Sequence, residues 1–125
     1  MRCPKHLNRD VRYPTMLGMG NEPLKGHLDL LLLQVLDTEP AHGYQVVCQL
    51  RDRSNGAFAL AEGTVYPALH RLERQGLLAS DWDDNGARRR RVYRLTREGR
   101  NSLHARRAEW TEFAAGVSTV LGVTV

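Results

Sequence analysis

The sequence predicts a mainly α-helical chain with one small β-hairpin, and three observations carry that prediction. Apolar residues recur at helical spacing in three stretches ahead of Gly76. An Asn85-Gly86 pair then separates two short runs that read as strands. Finally Thr96, with Glu98 and Gly99 behind it, opens a long helix that reaches about Leu121.

The first helix is expected from about Leu24 to Thr38. Leu28, Leu31, Leu32, Val35 and Leu36 form a core-facing stripe, and Pro40 disfavours helix at the residue ahead of it. Leu30 and Leu33 fall off that stripe and leave apolar surface for a partner. A second helix runs from near Gly43 to about Arg53, with Tyr44, Val47, Cys48 and Leu50 as apolar positions and Ser54-Asn55-Gly56 as the stop. The third runs from about Glu62 to Gln75 and closes at Gly76. Pro67 limits its start, because proline is tolerated in the first turn and clashes further in. Strands are expected at Leu77–Trp82 and Arg89–Leu95, flanking Asp84-Asn85-Gly86. Residues 1–23 lack a steady apolar period and contain three prolines and two glycines, so they read as a flexible tail. Met16 and Met19 are alternative starts, and Arg2, Lys5, Arg9 and Arg12 offer a basic arm.

With 125 residues, the chain has room for one domain with a modest core. Hydrophobic residues make up 42% and charged residues 26%, the balance of a soluble globular protein. The longest apolar run, Leu30–Leu33 followed by Val35 and Leu36, is far below the roughly 20 residues of a membrane span. No secretory h-region is present, which points to the cytoplasm. Cys3 and Cys48 lack any CxxC spacing, so no metal site is expected. Cys48 reads as a small buried residue and Cys3 as a free thiol of the tail, since a cytoplasmic setting disfavours a disulfide.

Net charge is +4, and 16 of the 18 cations are arginine. Residues 71–107 hold eleven of those arginines against five carboxylates, leaving a slightly acidic remainder. Such a region suits a polyanion, although a solvated arginine-rich face gives the same composition.

The order helix, helix, helix, hairpin, helix is that of a winged helix-turn-helix followed by one more helix. In that layout the third helix enters the major groove and the hairpin lies over the backbone or minor groove. Val65, Ala68, Leu69 and Leu72 share the side of the third helix that should face the core. Tyr66, Pro67, His70, Arg71 and Arg74 take the other side, with Thr64 near the boundary. These are groups that bond base edges and phosphates, but an ordinary amphipathic helix with a basic face reads the same way. The hairpin adds weight: Arg88, Arg89, Arg90 and Arg91 sit near its tip, where four like charges repel unless phosphate neutralises them. Tyr93 and Leu95 alternate toward the body.

In the last helix Leu103, Trp110 and Val117 fall seven apart, with Phe113 and Val120 at the intervening positions. Arg106 breaks the repeat once. The stripe fits packing on its own domain or a coiled-coil-like seam with a second copy. A homodimer is expected, because two recognition helices match a palindromic site. Residues 24–96 then form the winged helix-turn-helix domain and residues 97–121 a C-terminal dimerisation helix. No catalytic set emerges among His6, His27, His42, His70 and His104, so neither an enzyme nor a cofactor is expected. A winged-helix protein–protein adaptor without specific DNA binding is the alternative.

The segments LLLLQVLDTEPAHGYQVVCQL, EGTVYPALHRLERQGLL and RRRRVYRLTREGR resemble the short-form PadR family of bacterial transcriptional regulators over roughly residues 24–121. HGY followed by GTVYPALHRLE is the specific part. The resemblance implies that Thr64, Tyr66, Pro67 and His70 lie in a recognition helix, Arg88 to Arg91 in a wing, and the terminal helix in a dimer. It also implies a repressor released by a small aromatic or drug-like ligand. Trp110 resembles a tryptophan that lines such a ligand in some members, beside its plainer reading as a core or seam residue. The first 23 residues depart from the family pattern.

Overall fold

The computed structural model describes residues 26–86 and 88–124. The tail at 1–23, including its basic arm, lies outside the described residues. The chain forms α1 (Leu28–Thr38), β1 (Ala41–His42), α2 (Gly43–Arg53), α3 (Glu62–Arg74), β2 (Leu78–Asp83), β3 (Arg90–Leu95) and α4 (Arg97–Leu121). This is the expected helical chain with a hairpin, plus one strand that the sequence did not announce.

The helix α1 starts later than expected because Gly26 adopts a φ of +87°, a left-handed conformation that a right-handed helix does not continue. It stops where Pro40 requires. Glu39 is fully extended, the backbone region left to a residue before proline. Leu32, Val35 and Leu36 are buried as predicted, but so is Leu33, which joins the core and not a partner-facing surface. Two-sided burial follows from the central position of α1, which packs against all three other helices and β3. Leu28, Leu30 and Leu31 pack partly buried against the same core.

His42 and Gln45 start α2 with a reciprocal cap. The Gln45 backbone N–H donates to His42 Nδ1 at 3.3 Å, and the His42 N–H donates to Gln45 Oε1 at 3.0 Å. Val46, Val47, Cys48 and Leu50 face inward. Cys48 is fully buried as expected, but it is disulfide-bonded and does not stand as a thiol; Cys3 lies outside the described residues.

The sheet is antiparallel in the order β1-β3-β2. The two-residue β1 pairs Ala41 with Tyr93 and His42 with Val92, and β2 pairs from Leu78 opposite Leu95 to Asp83 opposite Arg90. Six residues, 84–89, therefore separate the last hairpin pair, in place of a tight Asn-Gly turn. Gly86 takes positive φ but Asn85 does not. The Asn85 N–H instead donates to the Asp83 carboxylate at 2.9 Å, so a side-chain turn opens the loop.

Leu32, Leu33, Val46, Val65, Leu69, Leu72 and Leu78 form the centre of one core. Removing any one of these side chains to Ala would cost about 2–5 kcal/mol, more than any cap or surface ion pair here supplies. The core therefore fixes the angle at which α3 and the hairpin leave the body. Thr96 caps α4, its hydroxyl accepting from the Gly99 N–H at 3.0 Å.

Candidate nucleic-acid interface

The helix α3 divides as its periodicity predicts. Val65, Ala68, Leu69 and Leu72 are buried; Pro67, His70 and Arg74 are exposed, and Thr64, Tyr66 and Arg71 are half-exposed. Pro67 sits in the second turn, one step deeper than the first-turn position where it costs least. The Tyr66 hydroxyl donates to Glu62 Oε1 at 2.6 Å. Burial and that bond push the phenol up to about 12, so it remains a protonated donor. The His70 ring stands 6.5 Å from that of Tyr93, linking α3 to the hairpin.

Arg71 is placed differently from its neighbours. Its guanidinium bonds the Asp29 carboxylate of α1, and Arg106 of α4 approaches the other oxygen of Asp29 at 3.9 Å. Asp29 is only 19% exposed, so this arrangement ties α1, α3 and α4 together. Arg71 thus belongs first to the frame that holds the helix.

The wing arginines take different partners. Along an extended strand, side chains alternate between faces, so Arg90 and Arg91 diverge. Arg90 approaches the His42 ring, Nη1 to Nε2, at 3.4 Å. Arg91 turns to the inner face, where Nε donates to Ser80 Oγ at 2.7 Å and a terminal nitrogen lies 3.7 Å from Glu73. Arg89 donates to Asp84 at 2.6 Å, and Arg94 to Asp81 at 2.6 Å. Arg88 is exposed in the loop. The repulsion expected at the tip is therefore partly relieved within the chain by carboxylates of α3 and the hairpin loop.

Between α3, the start of α2 and the inner face of the hairpin lies a cleft of about 490 Å³. It brings together Tyr66 and His70 of α3 with Arg88, Arg89, Arg90 and Arg91. Thr64, Pro67 and Arg74 stand on the same helix without lining it. The cleft also contains residues the sequence reading missed: His42, Tyr44 and Trp82. His42 is buried, and burial together with the Arg90 charge holds its pKa below the usual 6.5. A neutral ring is also what its capping bond needs. The apolar spacing of α2 marks Tyr44 only as a helix position. Trp82 ends the strand that the sequence predicts at Leu77–Trp82, and period-two alternation from Leu78 through Ser80 places it on the inner face.

At the far end, α4 presents Trp110, Phe113, Val117 and Val120, all exposed, with Leu121 beside them. Leu103 does not belong to this face: it is 3% exposed and packs in the domain core. The reason is distance along the helix, since only the first turns of α4 lie against the body. The His27 ring meets Trp110 edge-on at 5.2 Å, and Trp110 lies 5.9 Å from Phe113. A cavity of about 570 Å³ opens beside Trp110, lined by Leu30, Leu31 and Phe58 with Gln34 and Arg107 at its polar side. Among the described residues no helix is long and apolar enough to cross a membrane.

The model of the transcriptional regulator PadR-like family matches residues 32–105. A transcriptional regulator of Mycobacterium tuberculosis is 39% identical over 87 residues, covering 70% of this chain and 78% of its own length. The crystal structure of a PadR family transcriptional regulator from Eggerthella lenta is 40% identical, with a TM-score of 0.72 over 85% of this chain and 91% of the other. PadR of Bacillus subtilis, solved in complex with operator DNA, shares the fold at 22% identity, with a TM-score of 0.58 over 62% of this chain and 45% of its own.

Proposed function

The chain belongs to the PadR-like family of transcriptional regulators, and on that premise we propose that it binds a palindromic operator as a homodimer and acts as a repressor. The observation that carries the reading is the cleft in which the exposed side of α3 faces the arginines of the hairpin. A duplex strand passing there meets donors from both walls. The operator complex of Bacillus subtilis PadR, alike in fold, supports the same use.

In this reading residues 24–96 are the DNA-binding domain and residues 97–121 the dimerisation helix. Thr64, Tyr66, Pro67 and His70 meet base edges. Arg74, Arg88, Arg89, Arg90 and Arg91 meet phosphates, with Arg71 holding the helix beside them. Trp110, Phe113, Val117 and Val120 form the seam between two copies, where an exposed apolar face of this kind is covered. The cavity beside Trp110 has the size and apolar lining of a small-molecule site, and an aromatic effector bound there would shift α4 and release the operator. The protein acts in the cytoplasm, where its DNA is.

A mobility-shift titration on DNA from upstream of the protein's own gene tests the reading. Retardation that weakens steeply as salt rises is expected. Absence of binding to any duplex in dilute buffer overturns it and favours an adaptor. Melting shifts with aromatic compounds, abolished in Trp110→Ala, test the effector site.

A further inference from the structure

Trp82 stands at the end of β2 with 51% of its surface exposed. Tryptophan is highly buried on average, and this one lies outside the core. Its cross-strand partner is Arg91, and the Arg91 Cζ lies 5.1 Å from the centre of the indole. The Arg89 Cζ lies over the same ring system at 4.5 Å. Both distances are within cation–π range.

We propose that Trp82 is a positioning residue of the DNA interface, holding the Arg89 and Arg91 guanidiniums toward a phosphate without cancelling their charge. The inference rests on the DNA-binding reading and names a determinant of it. Its force comes from contrast with the other supports in the wing. Asp84 fixes Arg89 and Glu73 fixes Arg91, but each carboxylate neutralises the arginine it orders and repels an incoming phosphate. An indole face does neither. It attracts the cation through its ring quadrupole and occupies none of its N–H donors.

The loop geometry agrees. Asp84 is 68% exposed, while the bond that shapes the turn comes from Asp83. A phosphate can therefore take Arg89 from Asp84 without unfolding the loop, and Trp82 remains underneath. Holding both long side chains beforehand reduces the rotamer entropy given up on binding.

The test uses the full chain and a mixed-sequence DNA duplex, with affinity measured across a range of salt. Trp82→Leu, which keeps apolar bulk and removes the π-face, should bind roughly 3- to 10-fold more weakly. Its log–log salt slope should be shallower by up to about 0.9, the value for one phosphate left without its arginine. Trp82→Phe should recover most of both. Asp84→Asn should bind more tightly than wild type. A Trp82→Leu protein with wild-type affinity and slope overturns the proposal, as does a Trp82→Phe protein no better than Trp82→Leu. A second readout needs no folded variant: the Arg89 and Arg91 Nε–H resonances should carry the indole ring-current shift in the wild type and keep it on the duplex. Collapse of that shift when DNA is added overturns it too. Wild-type protein that ignores DNA sinks the functional reading and this inference together; wild-type binding that is indifferent to Trp82 sinks this inference alone.

Discussion

Gly43 leaves the space that the Tyr66 ring fills: a Cβ on residue 43 would lie 1.9 Å from Tyr66 Cε1. The first residue of α2 and the outer face of α3 are thereby packed to touching distance. The HGY segment and the GTVYPALHRLE segment are two sides of one joint.

Replacing Gly43 by Ala should lower stability by about 1–3 kcal/mol, the cost of overpacking. Chemical denaturation measures it. In a Tyr66→Ala background the sign should reverse, because Gly43 is not in a left-handed conformation and Ala gains up to about 1 kcal/mol of helix propensity. Equal losses in both backgrounds would show that the ring is not the obstacle.

Acid should destabilise the fold through His42. Its pKa is lowered by burial and by Arg90, against a weaker opposing pull from Asp83. The unfolded chain therefore takes up a proton at this site before the folded one does. Stability is fully present above the ordinary value of 6.5 and declines as pH falls through it toward the lower folded value. Protonation also places a hydrogen on Nδ1 and breaks the cap of α2. Melting temperatures of wild type and His42→Asn, which keeps a cap but does not titrate, should diverge between about pH 7 and pH 5. Parallel curves would remove His42 from the account.

Arg71 and Arg74, one turn apart on α3, should behave oppositely. Arg71→Ala breaks the tie to Asp29, in a partly exposed setting worth about 1 kcal/mol, and should leave the DNA salt slope near wild type. Arg74→Ala should leave stability unchanged and reduce the slope by about 0.9. His70→Ala, by contrast, should change which sequences are preferred. A uniform loss across sequences would assign His70 to the backbone.

Phe113→Glu with Val117→Glu should give a folded monomer in sedimentation analysis, since both side chains are exposed in the single chain. A dimer that survives this change would place the seam elsewhere.

Much of this architecture is written in local pattern. The second helix begins and ends where Gly43 and Ser54-Asn55-Gly56 indicate, and the buried side of α3 matches its period residue for residue. What escaped was non-local. Two residues, Ala41 and His42, carry no periodicity, and they become a strand only because β3 arrives beside them. Leu33 and Leu103 are buried by neighbours distant in sequence, which a single-helix stripe does not register. The arginine run was legible as charge, but the faces it divides between depend on strand register, and its partners come from three other segments. Trp82, framed by aspartates in the sequence, gave no sign of the guanidiniums that fold over it.

The most direct test of the central claim, that α3 and the arginine-bearing hairpin together hold a duplex, is the salt dependence of DNA binding by wild type and by the variant with Arg88, Arg89, Arg90 and Arg91 all changed to Ala. A steep wild-type slope is predicted, with the variant weaker on every sequence and shallower by about 0.9 for each phosphate that the four arginines neutralise. A variant with unchanged affinity and slope would contradict the account.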